Sequence, residues 1–193
     1  MTIDIYPSSP MTGLSMPYAE NPRDRVMTEN EIRIFWNGID AVSQVSSAVK
    51  CAFKLALLTG QRRAEVSGIA KQELNLTDRL WSLSKDRVKN NTAHDVPLSD
   101  LALELIDQAT ALSGNSPYLF PSPRNNQKPI NPKALTRAWS RASKQLGFED
   151  IVLHDFRRTC ATGLQKLGVR LEVTEAILNH KSGSVSGLSL IHI

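Results

Sequence analysis

The chain has 193 residues, 41% of them hydrophobic and 22% charged, which fits a folded globular domain and excludes a disordered or collagen-like chain. No apolar run approaches the ~20 residues needed to cross a bilayer, and MTIDIYPSSP has neither the basic nor the apolar region of a secretory signal, so the expected compartment is the cytoplasm. The net charge is +4, but residues 1–50 carry four Lys/Arg against six Asp/Glu while residues 51–193 carry 19 against 13.

In chain order, residues 1–27 are rich in Pro, Ser, Met and Asn without a sustained period and read as a linker or tail. Thr28 to Glu31 form a capping box, followed at helical spacing by Ile32, Phe35, Trp36 and Ile39. A second helix runs from about Ser47 and is stopped by Gly60. A short charged helix is expected over residues 62–70. LNLTDRLWSL and HDVPLS read as strands flanking KDRVKNNT, whose Asn90-Asn91 pair tolerates the left-handed backbone of a hairpin turn. SDLALELIDQATAL is an amphipathic helix with Ser99 as its cap. YLFPSP is a short extended piece. NPKALTRAWSRASKQLG is a helix with Pro in its first turn and Gly147 past its end. LHDFRRTCATGLQKLG and LEVTEAILNH are the last two helices. The fold class is mainly α with a small antiparallel β-hairpin sheet.

Between Gln108 and Phe148 there is no acid, while Arg124, Lys128, Lys133, Arg137, Arg141 and Lys144 all fall there. An acid-free basic segment suits a polyanion. A solvated basic face is the ordinary alternative. The two cysteines, Cys51 and Cys160, lie far apart without a CxxC partner and read as reduced, packed thiols, with no disulfide and no zinc site.

Three short stretches carry chemistry. In TGQRRAEV, Arg62 and Arg63 stand at a helix start with Glu65 three residues after Arg62, on the same face. In LHDFRRT, His154 and Arg157 share a face. In LNH, His180 ends a helix. Guanidinium binds phosphate oxygens bidentately and stays charged at any working pH. Two such groups with two imidazoles could converge on one phosphate and stabilise the extra charge of a pentacoordinate phosphorane. Alone, each stretch also has a plain structural reading: a solvated Arg pair, a chance HxxR, a His favoured by a helix dipole.

Together, TGQRRAEV, HDFRRTCAT and EVTEAILNHKSGSV resemble the tyrosine site-specific recombinases, the phage integrase family, and most closely the integrases of prophages and genomic islands. The resemblance spans residues 27–187, so residues 28–187 are expected to be a recombinase catalytic domain. It implies Arg62, His154, Arg157 and His180 as catalytic residues, with Glu65 as the supporting acid. It places the general-acid lysine at Lys89, in the turn after a Trp-containing strand, with Lys85 and Arg87 as less well aligned alternatives. It implies duplex DNA at attachment sites as partner and a homo-tetramer on DNA for the intact protein. It implies no metal, no cofactor and a 3′-phosphotyrosyl intermediate. Arg63, Arg158, Lys128, Lys133, Arg137 and Arg141 are the expected DNA contacts, while His94 reads as strand-end structure and Cys160 as packing.

The family's nucleophilic tyrosine should follow His180 by roughly ten residues, and the chain has Tyr6, Tyr18 and Tyr118 instead. The chain as given is therefore expected to bind DNA without cleaving it. A non-catalytic DNA-binding regulator of recombination is the alternative. The last six residues, LSLIHI, are what the codons CTG TCT CTT ATA CAC ATC, a transposon end used in preparing sequencing libraries, would encode, so residues 188–193 are expected to be non-native. Reading the underlying nucleotides tests this, and any other codon choice across residues 188–193 excludes it.

Overall fold

The computed structural model describes residues 23–180. Among them are seven α-helices: α1 (Glu29–Gly38), α2 (Ser47–Thr59), α3 (Arg63–Ser67), α4 (Asp100–Ser113), α5 (Pro132–Gln145), α6 (Leu153–Lys166) and α7 (Leu171–Ile177). Strands β1 (Leu74–Asn75), β2 (Leu80–Leu83) and β3 (His94–Pro97) form an antiparallel sheet in that order, and β4 (Pro121–Ser122) pairs with β5 (Asn125–Pro129). The fold is thus mainly helical with small antiparallel sheets, as expected. The reading of residues 188–193 as non-native lies outside the described residues.

Helix α2 is the centre. It is apolar nearly all round and buried nearly all round, which is what a helix enclosed by others requires. It packs against α4 on one side and α6 on another. Its Lys54 is buried too. The ammonium reaches Asp40 at 2.7 Å and lies 5.3 Å from the Trp36 ring centroid, so its charge is both paired and set over an aromatic ring.

Around α2 an aromatic cluster joins four helices. Phe35 of α1, Phe53 of α2, Trp139 of α5 and Phe156 of α6 meet edge to face, with Phe35–Phe156 at 5.0 Å and Trp139–Phe156 at 4.7 Å between centroids. This is the geometry that ring quadrupoles prefer. The Trp139 indole donates to the Ile151 carbonyl at 2.7 Å, so its one polar group is satisfied.

The helix ends follow their residues. Thr28 and Glu31 make both bonds of the capping box, Ser46, Ser99 and Asn131 cap α2, α4 and α5, and Gly60 ends α2 at φ +64°. A Cβ at Gly60 would stand 2.7 Å from Leu178 Cδ2, so glycine also permits the close approach of α7.

Four expectations are corrected. LNLTDRLWSL is two strands rather than one, because Asn75 and Asp78 hydrogen-bond across a turn that Arg79 completes at φ +57°. The charged helix is shorter than residues 62–70: Arg62 caps it, it ends at Ser67, and Ala70 pairs with Tyr118 in a β-bridge. YLFPSP supplies β4 of a hairpin that the prolines had hidden. The segment before Thr28 is no free linker where it is described. Arg23 donates to the fully buried Asp155 carboxylate at 2.8 Å, Arg25 bridges Glu31 and Asp150, and the Met27 amide donates to Thr159 Oγ1 at 2.9 Å.

Phe156→Ala removes the ring shared by α1, α5 and α6. It should cost about 3–5 kcal/mol, read as a lower urea midpoint with an unchanged slope.

Candidate functional site

The site is built at the end of α7, where the turn after α2, the first half of α6 and the β2–β3 connection come together. Arg157, on α6, is buried, with 5% of its surface exposed. It donates to the Gly60 carbonyl at 2.9 Å and to the Leu178 carbonyl. Gly60 lies two residues before Arg62, and Leu178 lies two residues before His180. One guanidinium therefore ties together the three stretches singled out in the sequence.

Arg62 stands at the N-cap of α3. Glu65, 2% exposed, accepts from the Arg62 amide at 2.6 Å and from the Arg62 guanidinium at 3.0 Å. One carboxylate thus both caps the helix and orients the arginine, leaving most of the guanidinium's donors for another partner.

His154 stands in the first turn of α6 and His180 just beyond α7, both with exposed surface. Partial burial first, then the charges of Arg158 and Arg157, hold His154 below the usual imidazole range. Partial burial first, then the charges of Arg157 and Arg62, do the same to His180, with His154 adding to them. Arg157 itself is lowered to about 10, by burial and then by the charge of Arg62, and is still cationic at neutral pH. Arg62, His154, Arg157 and His180 thus share one electrostatic neighbourhood, in which the arginine charges outweigh those of Glu65, Asp155 and Glu175.

Lys89 is exposed and lies in the β2–β3 connection, after the short 3-10 turn Lys85–Arg87. The structure connects it to the other four through its neighbour: the Asn90 amide donates to the Asn179 carbonyl at 2.9 Å. Of the alternatives to Lys89, Arg87 is engaged elsewhere. It donates to Glu73 at 2.7 Å and to the Glu65 carbonyl at 3.2 Å, and it lies over Gly68, where a Cβ would come within 2.5 Å of it. Lys85 is exposed in the 3-10 turn.

The basic segment resolves into a surface. Lys133, Arg137, Arg141 and Lys144 are exposed along one side of α5, three to four residues apart, and Lys128 is exposed on β5. Arg63 donates to Thr136 Oγ1, which links the start of α3 to that helix. Arg158 donates to Asp155 at 3.1 Å.

Sequence reasoning missed Gln61, Asn90 and Asn179 and read His94 only as strand-end structure. His94 hydrogen-bonds through Nε2 to the Ile177 carbonyl at 2.9 Å, and Gln61 donates to the same oxygen at 2.8 Å. Asn179, at φ +51°, was visible as a residue that tolerates a left-handed helix end. Cys160 is half-buried, with its sulfur against the Leu58 carbonyl and 3.0 Å from where a Gly60 Cβ would stand. Among the described residues, no group of three or more His, Cys, Asp or Glu is placed to hold a metal ion, and no helix is long and apolar enough to cross a membrane.

This chain belongs to the phage integrase family, which its residues 25–186 match. Prophage integrase IntA of Escherichia coli strain K12 is 33% identical over 138 residues, 72% of this chain and 33% of that protein. The chain thus spans about a third of the length of that relative. The Tn1549 transposon integrase, solved with a circular-intermediate DNA, shares the fold at a TM-score of 0.75 and 16% identity, over 84% of this chain and 60% of that one. The lambda integrase tetramer bound to a Holliday junction does so at 0.67 and 20% identity, over 83% and 48%.

His94, His154 and His180 all resist protonation in the folded chain, each chiefly through burial. Their contribution is complete above an unfolded imidazole pKa of about 6.5 and is lost below it, because the unfolded chain then binds protons the folded one refuses. Urea unfolding should show stability declining as pH drops from about 7.5 to 5.5. His94→Gln should flatten part of that slope.

Proposed function

We propose that this chain carries the phosphate-binding and proton-donating groups of a site that breaks and rejoins DNA strands in site-specific recombination. The observation that supports this most is the joining of Arg62, His154, Arg157 and His180 into one cluster around the buried, cationic Arg157. Arg62, Arg157 and His180 hold the scissile phosphodiester, and Glu65 orients Arg62. His154 binds the phosphate or relays a proton, and Lys89 protonates the departing 5′-oxygen. A tyrosine hydroxyl attacks phosphorus, giving a 3′-phosphotyrosyl bond as the 5′-oxygen leaves, and a 5′-hydroxyl from a partner duplex reverses the step. The two guanidiniums are held before substrate arrives, so charge developing on phosphorus meets donors that need not reorganise.

Double-stranded DNA is the partner. Lys133, Arg137 and Arg141 on α5, with Lys128 on β5, take its backbone, and Arg63 and Arg158 extend that surface near the site. The Tn1549 relative, solved with DNA, supports this reading. The lambda integrase tetramer on a Holliday junction supports a homo-tetramer on DNA for the intact protein. No residue among Tyr6, Tyr18 and Tyr118 matches the nucleophile: Tyr118 is held in a bridge with Ala70, and the other two precede the domain. The 193-residue polypeptide therefore binds DNA and does not cleave it.

Two measurements test this. Duplex binding should weaken steeply as salt rises. Arg62→Ala and Arg157→Ala should each weaken it roughly tenfold or more, from the ~1.5–3 kcal/mol of a hydrogen bond to a charged group. Salt-independent or absent binding, with both substitutions silent, would exclude the reading. On a nicked suicide substrate the polypeptide should form no covalent adduct, whereas an adduct would refute its inactivity.

A further inference from the structure

A helix leaves its last carbonyls without intrahelical partners. At the end of α7 three consecutive ones are taken by four side chains from four different elements. The Ile177 carbonyl accepts from Gln61 at 2.8 Å and bonds His94 at 2.9 Å. The Leu178 carbonyl accepts from Arg157. The Asn179 carbonyl accepts from Asn90 at 2.9 Å. The three bonds to the Ile177 and Leu178 carbonyls hold the α2–α3 turn, β3 and α6. The fourth, to Asn179, is the one that reaches the connection carrying Lys89.

Asn179 does more there than accept one bond. Its side-chain oxygen also accepts from Asn90, at 2.5 Å, and its side-chain nitrogen donates to the Thr92 carbonyl at 3.3 Å. It thus grips both sides of Asn91, which sits at φ +55°. Asn179 is itself left-handed, 8% exposed, and one residue before His180. A glycine would satisfy that backbone better. What asparagine adds is the amide, and the amide is spent on residues 90 and 92.

We infer that Asn179 is a positioning residue: it locks the connection bearing Lys89 to the helix end bearing His180, so that the proton donor and the phosphate ligand keep one fixed relation. Without its side chain, the turn beyond the buried Val88 keeps its Asn91 amide bond to Val88 and one bond from Asn90 to the residue-179 carbonyl. It loses both side-chain bonds that fix residues 90 and 92, and Lys89 is then a long side chain on a looser turn. The lock rests on the roles proposed above for Lys89 and His180, but its mechanical part is independent of them.

The test uses the full chain and two variants. Asn179→Gly keeps the backbone conformation and removes the amide, and Asn90→Ala removes the partner and leaves Asn179 in place. Amide hydrogen exchange should accelerate about fivefold or more at residues 88–92 in both, the effect of one lost hydrogen bond, while amides of α2 and α4 keep their rates. In duplex binding, Lys89→Ala should weaken the parent chain, and in the Asn179→Gly background its penalty should shrink to within about twofold, because residues acting through a shared contact are not additive. Unchanged exchange at residues 88–92, acceleration spread equally over α2 and α4, or an undiminished Lys89→Ala penalty would each overturn the lock. Accelerated exchange confined to residues 88–92 in a chain with no salt-dependent DNA binding would support the lock and sink the DNA-binding reading alone.

Discussion

The arrangement turns on a single buried cation. Taking the Arg157 guanidinium out of water is costly unless its donors are satisfied. Here the satisfaction comes from the carbonyls of Gly60 and Leu178 rather than from a carboxylate. That choice matters. A carboxylate would have neutralised the charge, whereas two neutral oxygens hold the group in place and leave the charge on it. Burial and then the nearby Arg62 bring its pKa down to about 10, the direction expected of a buried cation beside a second one.

The rest of the structure serves this contact. Gly60 must present its carbonyl inward, and its φ of +64° with Leu178 packed against it makes that turn possible. Helix α2 must end at that turn, so it is enclosed along its length by α4 and α6. Helix α6 must hold Arg157 at a fixed height, and Phe156, the residue before it, is locked between Phe35 and Trp139. On the opposite edge of α6, Asp155 is wholly buried and takes Arg23, Arg158 and the Val152 amide. Successive residues of one helix turn thus carry an acid facing the incoming chain, an aromatic facing the core and a cation facing the site.

Much of this was legible in the chain. The capping box at Thr28, the Gly60 stop and the caps Ser99 and Asn131 mark their helices through local chemistry, which sequence states directly. The order TGQRR, HDFRR, LNH carried the family and its candidate residues. What was illegible has a common physical cause. The Arg157 bonds to Gly60 and Leu178, the Gln61 and His94 bonds to Ile177 and the Asn90 bond to Asn179 all end on main-chain oxygens, and every residue has one of those. Their identity follows from topology, over separations as long as 116 residues. The split of LNLTDRLWSL was hidden for another reason: it depends on an arginine adopting a left-handed turn, which side-chain type does not announce. The docking of residues 23–27 depends on a buried acid in α6 that reads in sequence as an ordinary helix-start aspartate.

The distribution of acids explains why the site remains open to an anion. Glu65 is the carboxylate set among the cluster's cations, and it is already spent twice, on the Arg62 amide and on one edge of the Arg62 guanidinium. Glu73 is spent on Arg87 and the Trp81 indole. Asp155 is spent on the far side of α6. None is left to quench the two arginines, and α5 continues the same sign outward through Lys133, Arg137, Arg141 and Lys144. The Arg63 bond to Thr136 links that basic side of α5 to the start of α3, next to Arg62, whose orientation, like that of Arg157, is settled by folding. A phosphate at the two arginines would raise the proton affinity of His154 and His180 as it bound, since its charge would offset the cationic neighbours that, after burial, lower it. Anion binding and imidazole protonation are in that way coupled, each favouring the other.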